Sequence, residues 1–227
     1  MAKKTYFVAG TDTDAGKTVA SAGLLEAANR QGLRTMGLKP VAAGCEQTAE
    51  GLRNSDALIL QQTASLSLTY EQVNPIAFEP PIAPHIAAAQ AERRLTADRV
   101  AAFVKGTLLQ PADFVIVEGA GGWRVPLNNR ETMAHLPKIL QTPVILVVGM
   151  KLGCINHALL TAESVSRDGI RLAGWIANRV DADMANYDEN IGTIKSMLRA
   201  PLLGEIPHLE DPTPQNVAPF LDLSLLD

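Results

Sequence analysis

The chain is 227 residues long, 47% hydrophobic, 19% charged and only 4% aromatic, which supports one domain with a full aliphatic core and excludes a disordered or fibrous chain. Twenty Lys and Arg against 24 Asp and Glu leave a formal charge of −4. A general nucleic-acid binder, with its basic excess and stacking aromatics, is thereby excluded as well.

The first residues, Met1 to Lys4, run into a strand-like stretch at 5–9 without the apolar segment and cleavage site of a secretion signal. A glycine-bearing loop follows, then a helix over about 17–31 with Arg30 in its last turn and Gly32 placed to cap it. A second strand is predicted near 34–41, and a helix over 96–109 leads to a strand at 114–117. Helix 133–140, strand 144–148, helix 155–168, strand 172–177, helix 185–198 and strand 202–206 complete the alternation. Strands apolar on both faces, alternating with helices, predict an α/β fold: one domain over residues 1–227, with a mainly parallel sheet flanked by helices on both faces. The Pro-rich stretches 75–84 and 207–219 read as irregular loops. The longest apolar run, around 143–150, is far short of the roughly 20 residues that span a bilayer. The two cysteines, Cys45 and Cys154, form no disulfide or zinc framework. A soluble, cytoplasmic protein is expected.

The sharpest chemical signal is Gly10-Thr11-Asp12-Thr13-Asp14-Ala15-Gly16-Lys17-Thr18, between the first strand and the first helix. Such a loop presents successive backbone N–H groups and a helix N-terminus to phosphates. Lys17 can then reach the β/γ-phosphates, and the Thr18 hydroxyl can ligate Mg²⁺. The loop has one residue more than the usual phosphate-loop spacing, so an ordinary strand–helix turn is the competing reading. The second signal is Val117-Glu118-Gly119-Ala120-Gly121-Gly122-Trp123, which puts a carboxylate at a strand end where open α/β sheets bind ligands. A dinucleotide motif fails there because position 124 is Arg. Lys39 falls at the same end of the sheet, and Asp56 suits a helix cap and a metal ligand equally. The four histidines, His85, His135, His157 and His208, lack zinc-ligand spacing. Cys154 has no partner arrangement that would make it a nucleophile and reads as a packing residue.

Together with Lys39-Pro40-Val41-Ala42, 51–57, 151–157 and 203–207, these blocks resemble the dethiobiotin synthetase family, including its elongated phosphate loop, over nearly the whole chain. The resemblance implies a P-loop NTPase-like three-layer αβα fold and an ATP- and Mg²⁺-dependent cyclo-ligase of biotin biosynthesis. Its substrates would be 7,8-diaminopelargonic acid and CO₂. One amine would become a carbamate, ATP would phosphorylate it, and the second amine would close the cyclic urea.

Carried over residue by residue, the resemblance assigns catalysis to Lys39, Lys17 and Thr13, and metal binding to Thr18, Asp56 and Glu118. Nucleotide contacts fall on Asp14, Ala15, Gly16, Lys17, Thr18, Val19, Asp56, Glu118, Gly119, Ala120 and Gly121. Asn178, Arg179, Pro207, His208 and Leu209 would line the adenine pocket. The substrate would meet Thr13, Lys39 and Ala43, and its carboxylate would meet Gly153, Cys154, Ile155 and Asn156 of a second subunit, so a homodimer is implied. Ala43 stands where the family often has a hydroxyl residue, Asp14 where it has a longer acid, and His208 where relatives carry a bulkier aromatic. The rival readings are another P-loop amidating or cyclising ligase, and a nucleotide-switch ATPase. No nucleic acid or membrane partner is expected.

Overall fold

The computed structural model describes residues 3–226. Its central sheet holds β1 (Lys4–Gly10), β2 (Thr35–Leu38), β3 (Phe114–Gly122), β4 (Val144–Gly149), β5 (Leu172–Asn178) and β6 (Leu202–Ile206). All neighbours pair in parallel, in the order β6-β5-β4-β1-β3-β2. Against it pack α1 (Lys17–Arg30), α2 (Ser55–Thr63), α3 (Ala97–Thr107), α4 (His135–Leu140), α5 (Cys154–Arg167) and α6 (Tyr187–Met197).

Side chains along a strand alternate between faces, and the core divides accordingly. Tyr6, Val8 and Ile116 pack with Leu24, Leu25 and Ala28 of α1 on one face. Phe7, Val115 and Val117 pack with Val100 and Val104 of α3 and Leu136 of α4 on the other. Leu146, Val148 and Trp175 meet α5 and α6 through Cys154, Ala158, Ile191 and Ile194. β4 is buried along its whole length, as a central parallel strand covered on both sides must be. This is the three-layer arrangement expected from the alternation.

Several boundaries differ for local reasons. β2 stops at Leu38 because Pro40 offers no N–H to a ladder; Val41–Ala42 pairs instead with Ile76–Ala77. β3 runs on to Gly122, so Glu118 lies within the strand and not at its end. The regular ladder with β1 nevertheless reaches only Val8 opposite Glu118 before the register shifts. The Pro-rich stretches are not wholly irregular. Pro84–Gln90 and Pro214–Val217 are helical, each with proline in the first turn, where its missing N–H costs nothing. The short hairpin Glu46–Thr48 with Gly51–Arg53 was not legible in the pattern either.

From β1 the chain passes to the sheet edge as β2, returns beside β1 as β3, and only then crosses to β4 on the other side. The carboxyl ends of β1, β3 and β4 therefore flank the point where strand order reverses, the favoured ligand position in open α/β sheets. Among the described residues, no helix is long and apolar enough to cross a membrane.

Candidate active site

The loop after β1 enters α1 through Gly16, which is left-handed (φ 84°, ψ 33°) and offers no side-chain cap. The first N–H groups of a fourteen-residue helix thus face the loop without a side-chain acceptor, the arrangement that suits an anion. Lys17 folds back over the loop, its Nζ donating to the Asp12 carbonyl at 3.2 Å. Burial, with the neighbouring Lys39 charge, pulls the Lys17 pKa below that of a free lysine. Two side chains brace the loop, one at the end of β5 and one just after β4. Asn178, at the end of β5, donates its Nδ2 to the Ala15 carbonyl at 3.0 Å, and Lys151 lies 3.5 Å from the Asp12 carboxylate.

Beside the loop, four predicted residues form one polar cluster. Lys39 Nζ donates to Glu118 Oε1 at 2.6 Å and to Asp56 Oδ2 at 3.0 Å. Thr18 Oγ1 donates to the same Glu118 Oε1 at 2.8 Å. Burial works against the Lys39 ammonium, but Glu118 and Asp56 outweigh it and hold its pKa above the usual lysine value. Burial alone would raise the Asp56 carboxyl, yet the Lys39 charge and hydrogen bond bring it below the ordinary range. Glu118 has 0% exposure, and its Oε2 has no hydrogen-bond partner among the described residues. A fully buried carboxylate oxygen left unpaired is costly. Two carboxylates and a threonine hydroxyl are the donor set Mg²⁺ uses when waters and substrate phosphates complete its octahedron, so these residues fit the ion.

A cavity of about 580 Å³ opens over this cluster. Thr13, Asp14, Gly16, Lys17, Thr18, Val19, Lys39, Ala43, Asp56, Ala120 and Gly121 all line it. The structure therefore brings the loop, the charged cluster and Ala43 onto one space. Glu118 sits behind the wall, reached through Lys39 and Thr18. Asn178, Arg179 and the segment Pro207 to Leu209 do not line this cavity. They gather at the adjoining sheet end, where Ile206 pairs with Asn178 and the Arg179 N–H donates to the Ile206 carbonyl. Sequence reasoning missed part of the lining: Asn54, Val125 and the wall Pro81, Ile82, Ala83 and Pro84. The Pro-rich composition of that wall was visible, but nothing in it indicated a position over the loop.

Gly153, Cys154, Ile155 and Asn156 also lie outside the cavity lining. They open α5, whose N-cap Gly153 (φ 94°) provides no side-chain acceptor. Leu152 just before it is 95% exposed. The Cys154 side chain itself is buried in the core against α6, in keeping with a packing role. Burial raises the thiol pKa of both Cys154 and Cys45, so little thiolate exists near neutrality. Ellman's reagent at pH 7.5 is expected to label the folded protein far more slowly than the denatured chain, with the rate rising as pH increases. Immediate labelling of the folded protein would contradict this burial.

Comparison with known proteins follows the same lines. The sequence profile of a family described as an AAA domain matches residues 4–216. The ATP-dependent dethiobiotin synthetase BioD of Cellvibrio japonicus is 58% identical over 228 residues, covering 100% of both chains. The protein of the same name from Pseudomonas aeruginosa is 56% identical over 96% of each chain. Among solved structures, the septum site-determining protein MinD of Pyrococcus horikoshii, in complex with Mg-ADP, superposes with a TM-score of 0.55 at 15% identity, covering 99% of this chain and 89% of its own. A ParA family ATPase of Chlorobium tepidum gives 0.56 at 15% identity, with 95% and 90% covered. Likenesses at that identity concern the fold alone.

Proposed function

Because the chain belongs to the ATP-dependent dethiobiotin synthetase family, we propose that it is an ATP-dependent cyclo-ligase that closes the urea ring of dethiobiotin from 7,8-diaminopelargonic acid and CO₂. Full-length identity of 58% to a relative of that name carries the reading. The charged cluster facing the cavity supports it, because the chemistry brings two anions together.

In this reading one substrate amine takes up CO₂ as a carbamate. A carbamate oxygen attacks the γ-phosphorus of ATP, and ADP leaves. The second amine then attacks the carbonyl of the mixed anhydride, phosphate departs, and the amine's proton passes to solvent. Phosphoryl transfer of this kind depends on positioning and charge neutralisation more than on covalent help from the protein. The α1 N-terminus and Lys17 hold the phosphates. Lys39 faces the carbamate and stabilises the charge that develops as the two anions meet, with Thr13 across the same cavity. Thr18, Asp56 and Glu118 would hold Mg²⁺, which would supply charge neutralisation for the transferred phosphoryl group. Lys39 lines the cavity while bonded to both carboxylates, and its ammonium keeps a third N–H for the substrate.

Asn178, Arg179 and the segment from Pro207 to Leu209 would hold the adenine, beside the loop that Asn178 already braces. The segment from Gly153 to Asn156 would bind the substrate carboxylate at the site of a second copy, making the working unit a homodimer. Its cap without a side-chain acceptor and the bare Leu152 beside it support that placement. A cytoplasmic enzyme fits a product made from ATP and CO₂.

The test is product analysis with ATP, Mg²⁺, bicarbonate and 7,8-diaminopelargonic acid. Stoichiometric cyclic urea, ADP and phosphate are expected, with ADP formation dependent on the diamine. ADP formation without the diamine and without a urea product would point instead to a nucleotide switch.

A further inference from the structure

Lys39 is clamped through its own backbone. Its N–H donates to the Val73 carbonyl at 2.9 Å, and its carbonyl accepts from Asn74 Nδ2 at 2.6 Å. Both partners belong to the short helical turn Tyr70–Val73 and the residue that ends it. The Tyr70 hydroxyl donates to Asn74 Oδ1 at 3.0 Å and accepts from the Asn54 N–H at 2.7 Å. Asn54 in turn caps α2, its side chain accepting from the Ala57 N–H, and Asp56 sits in the first turn of that helix. One unbroken hydrogen-bonded path thus runs from the Lys39 backbone through Asn74 and Tyr70 to the end of α2 that carries Asp56.

Lys39, Asn54, Tyr70 and Asn74 are all buried. The Tyr70 hydroxyl uses its one proton on Asn74 and accepts from Asn54. The Asn74 amide is oriented by having an acceptor on its nitrogen side and a donor on its oxygen side. Satisfied buried networks fix a single geometry, because no water can replace a lost member. Neither Tyr70 nor Asn74 lines the cavity.

We propose that Tyr70 and Asn74 are positioning residues for the phosphoryl-transfer step, setting the register between the Lys39 ammonium at the end of β2 and Asp56 at the start of α2. This rests on the reading of Lys39 as the group that faces the carbamate. Tyr70 and Asn74 touch no reacting atom. They act by holding both ends of a charge pair whose 3.0 Å spacing sets where the ammonium points. A displacement of about 1 Å at such a group costs on the order of 100-fold in rate.

The test measures kcat, KM for ATP and thermal midpoint for Tyr70→Phe, Asn74→Ala and the double variant, with Lys39→Ala alongside. For folded Tyr70→Phe, kcat is expected to fall by roughly 10- to 100-fold with KM for ATP unchanged, since the phosphate loop is held independently. The double variant should be no slower than the slower single, because both substitutions cut one path. A fall of less than about fivefold in kcat, whatever the thermal midpoint does, overturns the proposal. So does a parallel rise in KM for ATP, which would mean general loosening of the site. If neither single variant folds, the network serves the fold and the proposal fails. An active Lys39→Ala would sink the reading of Lys39 itself. An inactive Lys39→Ala beside a normal Tyr70→Phe would sink only the positioning role.

Discussion

Lys39→Ala is expected to lower turnover by about 10²- to 10³-fold, the usual cost of removing one preorganised group from developing charge in a water-poor site. ATP should still bind, because the loop, Lys17 and the α1 N-terminus are untouched. The variant also has a stability cost that must be separated from the catalytic one. Lys39 is the cation against Glu118, whose side chain is fully buried. Breaking a buried pair from one side costs about 3–5 kcal/mol. At this chain length each kcal/mol lowers Tm by about 2–4 °C, so the loss is readable by thermal melting. Adding Glu118→Gln to Lys39→Ala removes the orphaned charge and should return most of the lost Tm without restoring turnover. Lys39→Arg should not rescue turnover, because a planar fork does not replace a compact ammonium at a site closed by two carboxylates and a threonine. Turnover of Lys39→Ala within about tenfold of the parent would leave Lys39 as a counter-ion only.

That prediction depends on a juxtaposition only partly legible in the sequence. The strands were legible because each is a short apolar run that becomes a buried parallel strand, and Gly10 to Thr18 could be placed because strand, loop and helix follow one another directly. Glu118 announced itself as a lone carboxylate after four apolar residues. What the pattern could not carry was distance. Lys39 and Asp56 are seventeen residues apart, and Glu118 is seventy-nine from Lys39. Only the sheet order, with β3 inserted between β1 and β2, makes them neighbours. Tyr70 and Asn74 were invisible for another reason. A four-residue helical turn shows no periodicity, and a buried asparagine is distinguished only by its partners. The proline-rich wall over the cavity is irregular as expected up to Ala83, and only the helix that Pro84 opens escaped the pattern, because proline in a helix's first turn looks the same in sequence as proline that breaks one.

Gly16→Ala is expected to abolish ATP-dependent turnover through the loop instead of the charges. Two costs fall on one atom. The backbone at Gly16 is left-handed, which disfavours any side chain by about 1–2 kcal/mol. An added Cβ would also lie 2.9 Å from Asn178 Cγ, and closer still to Nδ2, the atom that donates to the Ala15 carbonyl. The loop must retreat or Asn178 must swing away. Swinging away leaves a buried carbonyl unpaired, at about 1–3 kcal/mol. Gly32→Ala separates strain from collision, since Gly32 has φ 75° but an added Cβ would meet nothing within 4 Å. It should lose only the strain energy, seen as a modest fall in Tm, with KM for ATP unchanged. In Gly16→Ala/Asn178→Ala the obstacle is gone and the strain remains, so Tm should recover part of the way towards that of Gly32→Ala. ATP binding should not recover, because Asn178 both braces the loop through the Ala15 carbonyl and would hold the adenine. Isothermal titration with ATP on these three variants decides the matter. If Gly16→Ala binds ATP as the parent does, the loop tolerates a side chain at its turn and the phosphates are held elsewhere.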